Sequence, residues 1–241
     1  MMTPPPVHPL TLTGRIAPLG ADGKTSAIDK RPASSPFFVS ETGLVGDEQA
    51  DLQHHGGREK ALHHYPFEHY ASWRAEIGDV PALQSPGGFG ENFSTRGWTE
   101  TTICVGDIIR FGASVLQVSQ GRQPCWKLNR RFGVADMALR VQRSGRAGWY
   151  YRVLEPGAAD ETAILEIIAR PHPEWPLQRL NTLLYGESRS PSELAEMAAL
   201  PVLAQSWRDL AQRRVESGRI EDWSRRLYGD AATDVSSTTK L

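Results

Sequence analysis

Cysteine is scarce: Cys104 and Cys125 are the only two in 241 residues. That excludes a disulfide framework, and it excludes a self-contained iron–sulfur cluster, which takes about four thiolates. Long apolar runs are missing too, and none approaches the roughly 20 residues that a membrane-spanning helix requires. Net charge is nearly absent. With 27 Lys and Arg against 28 Asp and Glu, the sum of −1 gives no basis for binding nucleic acid by bulk electrostatics. The stretch Met1 to Leu10 carries prolines where a secretory leader has basic residues and then an apolar run. A closing Thr-Lys-Leu falls short of the peroxisomal Ser-Lys-Leu signal. The reducing cytoplasm is therefore the expected location, with no membrane and no nucleic-acid partner.

What the chain has is enough apolar content, 39%, to fill a core, and 22 Gly with 17 Pro to make many turns. Up to about Arg170, short β-type runs alternate with glycine-containing joints. Thr101 to Val105, Ile108 to Phe111 and Val115 to Val118 are joined by Gly106-Asp107 and Gly112-Ala113, which predicts a meander over 101–119. Tyr150 to Leu154 and Thr162 to Ala169 predict two more strands across Pro156-Gly157. One helix interrupts them: Phe67, Tyr70, Trp73 and Ile77 repeat every three to four residues between Pro66 and Gly78. After Pro173 the period becomes 3.6. Leu177, Leu180 and Leu184 mark one helix, stopped at Gly186. Ser190-Pro191-Ser192-Glu193 is a capping box that opens a second. Leu203, Trp207 and Leu210 mark a third, and Ile220, Trp223 and Leu227 a short fourth. The expected organisation is a β-rich α+β chain: a β-barrel domain over 1–170, a small helical bundle over 171–228, and a disordered tail over 229–241. The bundle is too small to be stable unless it packs on the β part.

Cys125 stands in Gly121-Arg122-Gln123-Pro124-Cys125-Trp126-Lys127-Leu128-Asn129, where a loop leaves the last run of the meander. Arg122 and Lys127 flank it, and cations beside a cysteine favour the thiolate, a soft ligand for a transition metal or a redox reaction. The competing reading is a buried cysteine under a loop, which is how Cys104, inside an alternating run, is read. Five histidines (His54, His55, His63, His64 and His69) share one window, but no two are three or four residues apart and no His-Glu-x-x-His is present. The zinc signal is therefore weak. His55-Gly56-Gly57 with Arg58 and Lys60 could present backbone N–H groups to an oxyanion, or be a solvated surface turn. Gly87 to Phe93 breaks the dinucleotide fingerprint, because Phe93 takes the last glycine's place. Asp47, Asp51 and Glu91 could each move a proton or merely shape a turn. Trp126, Trp149 and Tyr150 could line an aromatic pocket or fill a core.

In combination these pieces resemble a MOSC domain, the fold named after the carboxy-terminal part of molybdenum cofactor sulfurase, and specifically its bacterial YiiM type. The carrying residues are Gly43 to Gln49, Asp51 through His55-Gly56-Gly57 to Lys60-Ala61, Gly90-Glu91-Asn92-Phe93, Val105-Gly106-Asp107, Arg122 to Asn129, and Gly148 to Val153. Arg170-Pro171-His172-Pro173-Glu174-Trp175 resembles the entry into the three-helix domain that follows MOSC in this subfamily. Gly121 is a departure, because many relatives carry proline there. The resemblance implies a molybdenum–molybdopterin cofactor with Cys125 as the metal ligand. His55, Gly56, Gly57, Lys60, Arg122 and Arg152 would then serve the pterin phosphate, and Asn92 and Glu91 the pterin edge. It further implies reduction of N-hydroxylated compounds, such as hydroxylamines and N-hydroxylated purine bases. Asp47 or His55 would supply protons, an external reductase the electrons, and the helical domain a docking face for that donor or for a second copy of the chain.

Two rival activities remain open on the residues. A persulfide on Cys125 would make the chain a sulfur carrier without metal. A zinc hydrolase would draw on His54 or His55 with His64 and either Glu68 or His69.

Overall fold

The structure is a computed structural model that describes residues 3–186 and 190–229. Eight strands make the main sheet: β1 (Leu10–Gly14), β2 (Lys30–Pro32), β3 (Leu62–Pro66), β4 (Phe93–Thr95), β5 (Ile108–Phe111), β6 (Ser114–Gly121), β7 (Trp149–Glu155) and β8 (Leu165–Ala169). Their order is β8-β5-β6-β7-β3-β4-β1-β2, and only β3 and β4 run parallel. The ladder has two end strands. Val7 and Leu165 exchange a single pair of backbone hydrogen bonds across the gap, at 3.0 and 2.8 Å. The architecture is thus mixed α+β around a large open sheet, and the closed barrel expected from the strand pattern does not form.

The period-2 signal of β6 explains both of its halves. Leu116 and Val118 alternate inward with half-buried Val115 and Gln117, as on a one-sided sheet. From Ser119 to Gly121 every residue is buried, because the C-terminal helices cover the outer face. There Ala204 N–H donates to the Ser119 carbonyl at 2.8 Å, and a Cβ on Gly121 would lie 3.0 Å from the Trp207 ring.

The expected first run of the meander is not a strand. Thr102 and Ile103 both donate to the Thr99 carbonyl, and Cys104 N–H donates to the Asp107 carboxylate at 2.9 Å. Local acceptors bend the chain there, although Ile103 and Val105 stay buried.

Among the described residues eight helices surround the sheet: α1 (Leu52–His55), α2 (Glu68–Ile77), α3 (Lys127–Phe132), α4 (Met137–Ser144), α5 (Leu177–Tyr185), α6 (Pro191–Ala198), α7 (Gln205–Ser217) and α8 (Ser224–Tyr228). α2 and α5 to α8 answer the sequence periodicity. Gly78 and Gly218 leave α2 and α7 at φ of 82° and 63°, where a side chain would be strained. Ser190 accepts from Glu193 N–H, with Pro191 in the first turn of α6. The tail beyond 229 lies outside the described residues.

Two clusters make the core. The larger joins Phe93, Phe111, Leu116, Trp149 and Tyr151 of the sheet to Leu177, Leu184, Trp207 and Leu210 of the C-terminal helices. Those helices therefore gain their burial from the sheet, which resolves the shortage of core noted from their length. The smaller cluster packs Tyr70 and Trp73 of α2, Phe89, and Leu128, Phe132 and Val141 of α3 and α4.

Candidate functional site

Cys125 lies between the end of β6 and the start of α3. Arg122 N–H donates to the Gly148 carbonyl at 3.0 Å, Trp126 N–H to the Arg226 carbonyl at 2.8 Å, and Leu128 N–H to the Cys125 carbonyl at 3.0 Å. These three bonds pin the loop to β7, α8 and α3, leaving the thiol 7% exposed.

The short helix α1 brings His55 to it. His55 Nε2 is 3.1 Å from Cys125 Sγ, and Nδ1 is 3.0 Å from Asp51 Oδ2. Lys127 Nζ approaches the same Asp51 oxygen at 3.4 Å. Burial, with Lys127 next, lowers the His55 pKa to about 4, so its ring is neutral near pH 7. A neutral ring carries one N–H. With the Asp51 carboxylate accepting from Nδ1, the network assigns Nε2 as the lone-pair side facing sulfur. The result is a Cys–His–Asp relay whose Cys–His contact spans 70 residues of sequence.

Around it, burial collects cations. Arg122 is 5% exposed and hydrogen-bonds the Tyr150 phenol, while its Nη1 has no partner. His63 Nε2 is also buried without a partner, and burial pushes that ring's pKa well down. Both side chains line a narrow pocket of about 40 Å³ shared with Cys125, Lys30 and Tyr150.

Two larger cavities adjoin this pocket. One, about 430 Å³, is lined by Lys30, Asp47, Gly56, Gly57, His63, Gly90 and Asn92. The other, about 510 Å³, is lined by Cys125, Asp51, Gln120, Gln123, Trp126 and residues of the 222–229 segment. His55, Lys60 and Tyr150 line both.

Several candidates from the sequence sit elsewhere or do other work. Asp47 accepts from Gly14 N–H at 2.7 Å, Asn92 Nδ2 at 2.8 Å and Lys30 Nζ at 2.5 Å, so it is held as the anion of a clamp. Asn92 is likewise satisfied, accepting from His63 N–H at 3.0 Å and donating to the Leu12 carbonyl. Glu91 is fully buried and accepts from Tyr70 OH, Gly87 N–H and Phe89 N–H. It lines neither large cavity and shapes the glycine loop. Arg152 pairs with Glu59 and donates to Gln117 and to the Val202 carbonyl, tying β7 to the helical part and away from the cavities. Trp149 stacks on His64 at 4.2 Å inside the core, whereas Trp126 and Tyr150 reach the cavity wall.

The zinc reading loses its central ligand. His64 is fully buried, with its two nitrogens 2.9 Å from Tyr151 OH and 2.8 Å from Thr95 Oγ1. His69 is held by Glu100 at 2.8 Å, and the side chain of His54 lies outside what is described. Lys30 was missed: nothing in its sequence neighbourhood marks it, and only the pairing of β2 with β1 brings it to Asp47.

Residues 51–166 match the description of a MOSC domain, and 175–218 that of the YiiM-like 3-alpha helix domain. The chain is 40% identical to Protein YiiM of Escherichia coli over 217 residues, which is 90% of this chain and 96% of that one. The chain belongs to the MOSC family of the YiiM type. The crystal structure of the E. coli protein superposes on it with a TM-score of 0.80, covering 94% of this chain and all of that one. A protein of Gibberella moniliformis named Reductase is 39% identical over 206 residues, which is 85% of this chain and 36% of that longer one. Among the described residues no helix is long and apolar enough to cross a membrane.

The residues of this MOSC chain fit a metal-bearing anionic cofactor. A thiol is presented at a cavity junction, two buried polar atoms (Arg122 Nη1 and His63 Nε2) lack partners beside it, and the neighbouring wall is built of glycine. At Gly57, with φ of 91°, a Cβ would meet nothing within 4 Å, so that wall is open to a ligand.

Proposed function

We propose that the chain is a molybdenum-cofactor-dependent reductase of N-hydroxylated compounds, with Cys125 as the protein ligand of the metal. The observation that carries this reading is the junction itself: Cys125 Sγ lies 3.1 Å from His55 Nε2, beside the unpartnered atoms Arg122 Nη1 and His63 Nε2. When bound, molybdenum–molybdopterin supplies the two-electron redox step at the N–OH bond, and the balance is one hydroxylamine, two electrons and two protons giving amine and water.

Every other task falls to side chains already in place. Cys125 offers the soft donor, and His55 Nε2 takes its proton as the metal binds. Asp51 holds the tautomer that makes this possible, in the way outer-shell carboxylates orient a ligand's partner. Arg122 and Lys60, with the open backbone at Gly56-Gly57, receive the anionic end of the pterin. His55 is the remaining candidate for proton supply, because Asp47 is committed to Lys30. With two cysteines in the chain, electrons come from an external reductase.

The same relay supports a second reading, a persulfide carrier, since a histidine at 3.1 Å serves an attacking sulfur equally well. The two separate on one preparation, made in a host that synthesises molybdenum cofactor, beside Cys125→Ser. Near-stoichiometric molybdenum and pterin, lost in the variant together with reduction of an N-hydroxylated purine by an artificial reductant, is the expected result. A fully active Cys125→Ser protein overturns the reductase. Metal-free wild-type protein that gains one sulfur on Cys125 from a sulfur donor establishes the carrier.

A further inference from the structure

Residues 222–229 lie beyond both family-matched segments, yet they cross the Cys125 loop. The Arg226 carbonyl accepts from Trp126 N–H at 2.8 Å, and the Leu227 carbonyl accepts from Asn129 Nδ2 at 2.8 Å. Arg226 spends its guanidinium on the Pro124 carbonyl and on Gln142 Oε1. A Cβ on Gly229 would stand 3.0 Å from the Trp126 ring, so the chain passes flush against it. These contacts reach Pro124, Trp126 and Asn129 of the Cys125 loop and α3, and Gln142 of α4, which fixes α8 as a wall.

That wall belongs to one lobe only. Asp222, Arg225, Arg226 and Gly229 line the 510 Å³ cavity that contains Cys125, and none of them lines the 430 Å³ glycine-walled cavity. Its charge is two guanidiniums against one carboxylate. Asp222 is occupied by Ser224 N–H at 2.8 Å, and Arg226 is occupied as described. Arg225 is exposed, and among the described residues its guanidinium makes no hydrogen bond or ion pair. Across the lobe, Lys60 adds a cation, while Asp51 is already engaged by His55 and Lys127.

We infer that the lobe walled by α8 receives the substrate and that Arg225 is its specificity-determining residue, favouring N-hydroxylated compounds that carry an oxyanion, as a nucleoside monophosphate does, over neutral ones. This rests on the reductase reading for the reacting group but not for the charge of the wall. An unpaired, planar guanidinium at the rim of a cavity is matched to a two-oxygen acceptor, and it acts through both contact and field.

The wall is tested on protein without cofactor by alkylating Cys125 with iodoacetate and with iodoacetamide, which differ in charge and little in size. Peptide mass analysis follows Cys125 alone, since Cys104 is fully buried. The iodoacetate-to-iodoacetamide rate ratio falls about fivefold in Arg225→Ala at low ionic strength, is restored in Arg225→Lys, and converges with wild type at high salt. An equal ratio in wild type and Arg225→Ala overturns the proposal. On cofactor-loaded protein, the kcat/KM ratio for N-hydroxyadenosine monophosphate over N-hydroxyadenosine falls in Arg225→Ala, and a ratio that does not fall overturns the assignment to substrate. If loaded wild-type protein reduces neither compound, the reductase reading fails, and the alkylation ratio still decides the wall.

Discussion

Asp47→Asn distinguishes a proton-transferring carboxylate from a structural one. Lys30 is 5% exposed, and its ammonium meets Asp47 at 2.5 Å. Burial lowers the Lys30 pKa, and the Asp47 carboxylate opposes that shift. Asparagine keeps an oxygen for Gly14 N–H but removes the negative charge, leaving the ammonium buried and uncompensated. Breaking a buried pair from one side costs about 3–5 kcal/mol. The asparagine amide nitrogen then faces Lys30 Nζ and Asn92 Nδ2, the two donors to Asp47 Oδ2, so the loss is at least about 3 kcal/mol, which for a chain of this size lowers Tm by roughly 6–12 °C or more. Urea unfolding of wild type, Asp47→Asn and the double variant Asp47→Leu/Lys30→Met measures it. The double variant removes both charges, so it recovers most of the loss. Stability within about 1 kcal/mol of wild type, together with lost N-hydroxyl reduction, would refute the clamp and return Asp47 to proton transfer.

The remaining expectations concern the histidines, the glycine loop and the relay. Burial holds the His64 pKa at about 3, below the value near 6.5 of an unfolded histidine. The unfolded chain therefore takes up a proton that the folded chain refuses, and stability falls as pH drops from about 6.5 toward 3. The loss is about 1.4 kcal/mol per unit, so about 2 kcal/mol disappears by pH 5, and urea midpoints that do not fall from pH 7 to pH 5 would contradict this. Gly148→Ala puts a Cβ 2.2 Å from the His64 carbonyl at φ of 74° and should leave little folded protein. Gly57→Ala, at φ of 91° with free space around it, should cost only the backbone strain of about 1–3 kcal/mol, so equal yields of the two variants would count against this geometry. Asp51→Asn releases the tautomer of His55 and should lower turnover about 10–100-fold, with Cys125 still present to bind molybdenum. Unaltered turnover would show that the relay is incidental.

Legibility in the sequence followed the range of the interaction. α2, α6 and α7 were readable because caps, stops and apolar spacing all lie within one helix. α4 was overlooked although Met137, Val141 and Gly145 are spaced one turn apart and the last is left-handed at φ of 71°. The cysteine was readable from its loop, and the family resemblance supplied its role. The partners were not: His55 is 70 residues away on a four-residue helix with no apolar period of its own. Arg152 looked like an anion ligand because an isolated Arg in a strand carries no mark of its counter-ion, and Glu59 sits 93 residues earlier. Asn92 and Glu91 read as contacts to a ring, but Asn92 is spent on His63 N–H, the Leu12 carbonyl and Asp47, and Glu91 on Tyr70 OH and two backbone N–H groups, partners that sequence does not show.

The barrel expectation failed for a related reason. Alternation within a strand reports that one face is buried, and it is silent about what buries it. Here the helices after Trp175 share one core with the sheet, and the outer face of β6 is covered exactly where the strand runs into the Cys125 loop. The C-terminal part reaches the thiol by another route: Asp222, Arg225, Arg226 and Gly229 wall the larger cavity that Cys125 lines, whereas the narrow pocket holding the unpartnered Arg122 Nη1 and His63 Nε2 is lined by residues from Ser26 to Tyr150. Alternation in β6 reports neither, because both depend on which segments far along the chain come to lie at that end of the strand.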